Sequence, residues 1–203
     1  MADKILMNKN SLATLKNELK EYESALPVFE MKEQQLKKAV ESLENSIQKL
    51  EQSIEESRQK TKKWVAVMSE ESVDLQQLAV VNRVKTNNRE IAGVRIDVFS
   101  EIDFEEVKLD PLESPLWLDA AKEVISDQKT KYTMIEIERH NIELLREELA
   151  EARRMKNALK EVFIPETKQK IRKIEIYLGD VERLAIGCAK LVKKKKEKKK
   201  ATL

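Results

Sequence analysis

SLATLKNELKEYESALPVFEMKEQQLKKAVESLENSIQKLEQSI, residues 11–54, spaces its apolar residues by alternating steps of three and four. From Leu12 the steps land on Leu15, Leu19, Tyr22, Leu26, Phe29, Glu33, Leu36, Val40, Leu43, Ile47, Leu50 and Ile54. They continue to Ser57, Thr61, Trp64 and Met68. Fourteen of the seventeen positions are apolar, and the register never slips. A repeat of 3.5 residues keeps one helical stripe facing a partner helix, the signature of a coiled coil. Ser11, just before the first stripe residue, is the expected N-cap. Pro27 falls inside the run, where a missing amide hydrogen and a ring clash predict a kink. The helix is expected to reach about Leu78, which makes a rod of about 100 Å at 1.5 Å per residue.

The period changes after Val81. In IAGVRIDVF, Val94, Ile96 and Val98 alternate with Arg95 and Asp97, which predicts a strand. Residues 102–109, IDFEEVKL, form a second strand candidate, and a connection through Ser100 and Glu101 would make a small hairpin. LDPLESP, with Pro111 and Pro115, then reads as a hinge, Pro115 suiting a helix start.

A second stripe runs through Ile135, Ile142, Leu145, Leu149, Ala152, Leu159 and Phe163. It resumes through Ile164, Ile171, Ile174, Leu178, Val181, Ala185, Cys188 and Val192. The two halves differ by one residue, and the slip coincides with Pro165. One extra residue turns a stripe by about 100° on an ideal helix. Two helices of similar length around a compact insert should fold back antiparallel and bury each other's stripes.

The expected fold is therefore all-α: a long antiparallel two-helix coiled coil with a short β-hairpin in the middle. Its parts are a first helix over 1–81, a connecting segment with the hairpin over 82–114, a second helix over 115–192 and a lysine-rich tail over 193–203. Composition agrees. Among 203 residues, 37% are charged and 4% aromatic, with three glycines and four prolines, too few turn formers for a globular domain of this length. No apolar run is long enough for a membrane span or signal peptide.

Catalytic patterns are absent from the sequence. Three isolated glycines make no phosphate-binding loop. His140 is the only histidine, so no two-histidine metal site or histidine triad can form within the chain. It lies off the stripe and reads as exposed. Cys188 is the only cysteine and lies on the stripe, which predicts core packing and a reducing compartment. Trp64 and Trp117 are expected to pack near the hairpin. Glu136, Glu138, Glu143, Glu147, Glu148 and Glu151 read as a solvated face, with Glu143 in reach of Arg146. The tail KKKKEKKK, residues 193–200, holds seven lysines and one glutamate, and the rest of the chain has 32 basic residues against 36 acidic ones. With no aromatic interleaved, the tail reads first as a solvated helix end, then as a protein contact, and only then as a nucleic-acid contact.

These residues resemble the D subunits of the V-type and archaeal-type rotary ATPases. That family carries a pattern close to R-R-V-N-A-L-E-x-V-x-I-P. Here residues 154–165 read RMKNALKEVFIP, matching at Arg154, Asn157, Ala158, Leu159, Val162, Ile164 and Pro165. LGDVER, residues 178–183, is similar to the family's L-E-E-x-E-R, and Lys190 and Lys193 continue the basic spacing. IAGVRI, residues 91–96, looks like its I-x-G-V-x-V segment. Met155, Lys156, Lys160 and Asp97 depart from the pattern. In the family's early basic run only Lys32 keeps a base.

The resemblance implies a central-stalk rotor component without an active site, carrying torque between a catalytic hexamer of A and B subunits and an ion-translocating membrane ring. The implied partners are the A, B and F subunits and the C/d-type socket subunit of the ring. No cofactor, metal or small-molecule ligand is implied. The implied setting is a peripheral membrane complex in the cytoplasm. Lys32, Arg153, Arg154, Lys156, Asn157, Pro165, Glu182, Arg183, Lys190 and Lys193 become candidates for contact with the hexamer. Ile91, Gly93, Val94, Ile96, Val98 and Trp117 become candidates for the lower stalk. The slip at Pro165 is expected to make the shaft asymmetric. The competing reading is a free-standing coiled-coil tether whose tail binds nucleic acid or anionic membrane.

Overall fold

The computed structural model describes residues 6–63, 78–105 and 117–201, without the side chains of 198–201. Trp64, Met68, the hinge over 109–115 and its two prolines lie outside the described residues. Helix α1 spans Lys9–Lys62, strands β1 and β2 span Val81–Ile91 and Val94–Phe104, and helix α2 spans Leu118–Ala158. A π-helical turn, Leu159–Phe163, joins α2 directly to α3, Ile164–Ala201. The fold is an antiparallel two-helix coiled coil with a two-stranded hairpin.

Every stripe position of α1 from Leu12 to Thr61 is buried or half-buried, Glu33 included. Pro27 lies on the exposed face and α1 runs through it unbroken. The N-cap is Asn8 rather than Ser11: Asn8 Oδ1 accepts the Ser11 amide hydrogen at 2.6 Å. An amide side chain three residues before the first free N–H groups serves them as well as a hydroxyl.

Two compact units divide the chain, residues 1–31 with 152–203, and residues 32–151. In the first, α1 lies against α3 with Lys9–Glu182, Lys16–Glu175 and Glu23–Lys168 ion pairs, one per heptad on each helix. Partner numbers there add to 191. In the second unit α1 lies against α2, and Glu44–Arg146 and Glu51–Arg139 add to 190. The difference of one is the extra residue of the π turn. Such exposed pairs contribute at most about 1 kcal/mol each, so they mark register more than they hold the fold. The holding comes from Leu36, Val40, Ile54, Ile142, Leu145, Leu149, Leu159, Ile171 and Ile174, all buried.

The π turn explains how the helix accommodates Pro165. The Ile164 amide reaches back five residues to the Leu159 carbonyl. In a regular helix the Pro165 ring would press on the carbonyl of Glu161, four residues earlier. Widening the preceding turn relieves that conflict and adds one residue, so Leu159 and Ile171 both stay buried across the slip. The helix does not stop; it unwinds locally, by this one wider turn.

In the second unit the hairpin turns at Ala92 and Gly93, with φ of 51° and 87°. Both lie in the left-handed region that a two-residue type I′ turn requires. The turn is not at Ser100–Glu101, as the strand reading expected. Lys85 pairs with Glu101 and Thr86 with Phe99, so Ser100 is an extra residue bulged out of β2. A bulge breaks the period-two alternation, and in the sequence that break imitates a strand end. Leu78 and Ala79 form a short 3₁₀ turn before β1, and Leu78 packs with Leu118, Ala121, Trp117 and Ile125.

Candidate functional site

Two surfaces arise from this architecture. The first is the end of α3. Beyond Glu182, every residue of α3 whose side chain is described is exposed, among them Leu184, Ile186, Leu191 and Val192. The reason is length: α1 begins at Lys9, opposite Glu182, so the stripe of α3 continues past its partner. This corrects the packing expected of Cys188, which is exposed. Lys190 and Lys193 lie on the same bare stretch, and Arg183 holds Asp180 at 3.2 Å. An uncovered helix carrying apolar and basic residues together suits a protein partner.

The contact candidates around the π turn fall on the first unit except Lys32. Arg153, Arg154 and Asn157 are exposed on α2, Lys156 and Pro165 are half-buried, and Glu182 pairs with Lys9. Exposed Val28, Met31, Met155, Val162 and Phe163 add apolar surface at this level, and Phe163 stacks on Tyr22 with ring centroids 5.6 Å apart. Lys32 is half-buried in the second unit and pairs with Glu148.

The second surface is the hairpin. Gly93 and Val98 are exposed, while Ile91, Val94 and Trp117 are half-buried. Ile96 is only 4% exposed and belongs to the chain's own core. Its inward position follows from Asn141 of α2, which is 2% exposed. Asn141 Oδ1 accepts the Asp97 amide hydrogen at 3.0 Å, and Asn141 Nδ2 donates to the Asp97 carbonyl at 2.6 Å. One side chain thus pairs with a backbone residue as a neighbouring strand would. On the opposite strand, Lys85 sits between Glu101 at 2.9 Å and Asp103 at 3.1 Å. Hydrogen bonds to Glu101 and then Asp103 hold its ammonium above the usual lysine range.

Glu138 departs from the expected solvated face. Its Oε1 accepts the Ser46 hydroxyl at 2.8 Å, while Oε2 is enclosed without a hydrogen-bond partner. Burial pushes this carboxyl up, only partly opposed by Ser46. Arg146 reaches across to Glu44, not along its own helix to Glu143. His140 is exposed, as its place off the stripe predicted. Asn141 and Glu138 carried no sequence signal beyond lying on α2, because what distinguishes them is the hairpin and α1 packed against them.

Among the described residues, no group of three or more histidine, cysteine, aspartate or glutamate side chains is placed to hold a metal ion. No described helix is long and apolar enough to cross a membrane. The family model for the ATP synthase D subunit matches residues 11–194. A V-type ATP synthase D subunit of Borreliella burgdorferi is 32% identical over 190 residues, covering 94% of each chain. The proteins of the same name from Chlamydia pneumoniae and Chlamydia abortus are 23% and 27% identical, covering 99% and 98% of this chain and 97% of each relative.

Proposed function

Since the chain belongs to the ATP synthase D-subunit family, we propose that it is the non-catalytic central rotor of a V/A-type rotary ATPase. It transmits torque between a catalytic hexamer of A and B subunits and the membrane ion-translocating ring. The F subunit and the C/d-type socket subunit complete its partners, and the complex is peripheral on the cytoplasmic face of the membrane.

The observation that best supports this reading is the bare end of α3. Paired helices with a buried stripe resist bending, as a torque-bearing element must. Beyond Glu182 one helix continues alone among the described residues, presenting Leu184, Leu191 and Val192 with Arg183, Lys190 and Lys193. A single helix with an apolar stripe is stable in water only marginally, so this end suits insertion into a surrounding protein. The candidates Arg153, Arg154, Lys156 and Asn157 would meet the hexamer beside the π turn. Gly93 and Val98 would meet the lower stalk.

The test is affinity capture of the full chain from its native cell at moderate salt, with mass spectrometry of what accompanies it. The A, B and F subunits should be recovered. A chain lacking residues 183–203 should lose the A and B subunits. Recovery of no ATPase component, with salt-sensitive binding to DNA or anionic vesicles that disappears without residues 193–200, would establish the tether reading instead.

A further inference from the structure

Within the second unit, the hairpin and the α1–α2 pair line a half-open cavity of about 540 Å³. Ala39 and Leu43 of α1, Ile96 and Phe99 of β2, and Met134 and Ile137 of α2 supply its apolar lining. Glu138 also borders it. Four charged residues also border it: Lys38 from α1, and Arg89, Glu90 and Asp97 from the hairpin. All four are exposed, and neither Lys38 nor Arg89 holds an acidic partner among the described residues.

Glu138 is observed turned toward Ser46. In that position one carboxyl oxygen is enclosed and receives no hydrogen bond. A neutral carboxyl tolerates this far better than a carboxylate, because enclosing an unpaired charge costs several times what enclosing a polar group does. A space much larger than one water molecule lies beside it, with two unpaired cations at its edge. The side chain therefore has two arrangements available, and its charge decides between them.

We propose that Glu138 is a proton-controlled tether of the hairpin. Protonated, it stays tucked against Ser46, and the centre of the hairpin keeps only the Asn141 hydrogen bonds among the described polar ties to α2. Ionised, it swings into the cavity and pairs with Arg89 of β1, adding a second tie between α2 and the hairpin. Lys38 competes for the same carboxylate from α1, whereas Glu90 and Asp97 oppose its arrival. The raised proton affinity of Glu138 is consistent with the tucked position. This inference concerns the isolated chain and does not rest on the proposed rotor role.

The test uses the full chain with ¹³C-methyl methionine, Met134 being the reporter that lines the cavity and Met134→Leu assigning its signal. The methyl shift is followed from pH 4 to pH 8. It should titrate with a midpoint above the ordinary glutamate value, and Glu138→Gln should abolish that titration. Arg89→Gln removes the partner of the ionised form, so the midpoint should rise further, by a few tenths of a pH unit, the equivalent of one exposed ion pair. An ordinary midpoint, titration that survives in Glu138→Gln, or a midpoint that Arg89→Gln leaves in place would each overturn the proposal. Circular dichroism confirms that each variant keeps its helices. Arg89 borders the cavity but is itself exposed, so its loss leaves the core intact.

Discussion

Replacing Asn141 by leucine removes both hydrogen bonds that hold the Asp97 backbone. Each such bond contributes about 0.5–1.5 kcal/mol net, and a polar group left dry costs about 1–3 kcal/mol. Asp97 is itself exposed, so water can reach part of what is lost. The estimate therefore falls near 2 kcal/mol, the lower end of the sum, which corresponds to about a 30-fold change in an opening equilibrium. Because the Asp97 amide points at Asn141, its hydrogen exchange measures this opening directly. It should exchange about 30-fold faster in the variant. The amides of Asn87 and Arg89 pair across the hairpin with Val98 and Ile96, and they should accelerate far less, because the hairpin comes loose without unzipping. Unchanged exchange at Asp97, or equal acceleration at all three, would refute the role given to Asn141.

Other expectations follow from the same structure. Deleting Lys160 should convert the π turn to regular helix and bring the Pro165 ring back against the carbonyl four residues earlier, lowering the melting temperature; the same deletion combined with Pro165→Ala should leave the melting temperature within a few degrees of the parent, because Leu159 then precedes Ile164 by one stripe step. Deleting Glu147 in α2 should lower it strongly, since the stripe downstream turns away from α1. Ala92→Asn should stabilise the hairpin by about 0.5–1 kcal/mol, because asparagine accepts a positive φ more readily than alanine; Gly93→Ala should do the reverse, both read by amide exchange in β1. Glu138 has a folded proton affinity raised by burial, so its cost is present above that raised value and relieved as pH falls toward the unfolded one. Thermal melts should therefore show the parent gaining on Glu138→Gln between pH 7 and pH 4.5.

The coiled coil was legible because a stripe is a local property of sequence. Each step from Leu12 to Thr61 names a residue that the structure buries or half-buries. The slip at Phe163–Ile164 was legible too, but its form was not. A one-residue excess can be absorbed by a break, a bend or a locally unwound, wider turn, and the choice depends on the ring of Pro165 meeting the carbonyl of Glu161. The sequence pattern puts the hairpin turn in the wrong place because alternation fails at a bulge as it does at a strand end. The stripe points Cys188 into the core because a stripe says which face wants a partner and nothing about where that partner begins. Glu138 and Asn141 were invisible for a related reason: their surroundings come from a hairpin more than forty residues away in sequence.

Asn141 also bears on how copies of this chain can meet. A two-stranded ribbon has two open edges, and a molecule with two open edges can stack without limit, each copy offering one edge and accepting on the other. Asn141 occupies the outer edge of β2 at its midpoint, where a third strand would have to bond to Asp97. Among the described residues only the edge of β1 is left to recruit a foreign strand. Edge-to-edge association through this ribbon then closes at two copies, β1 against β1, and a growing fibre has no second end to extend from.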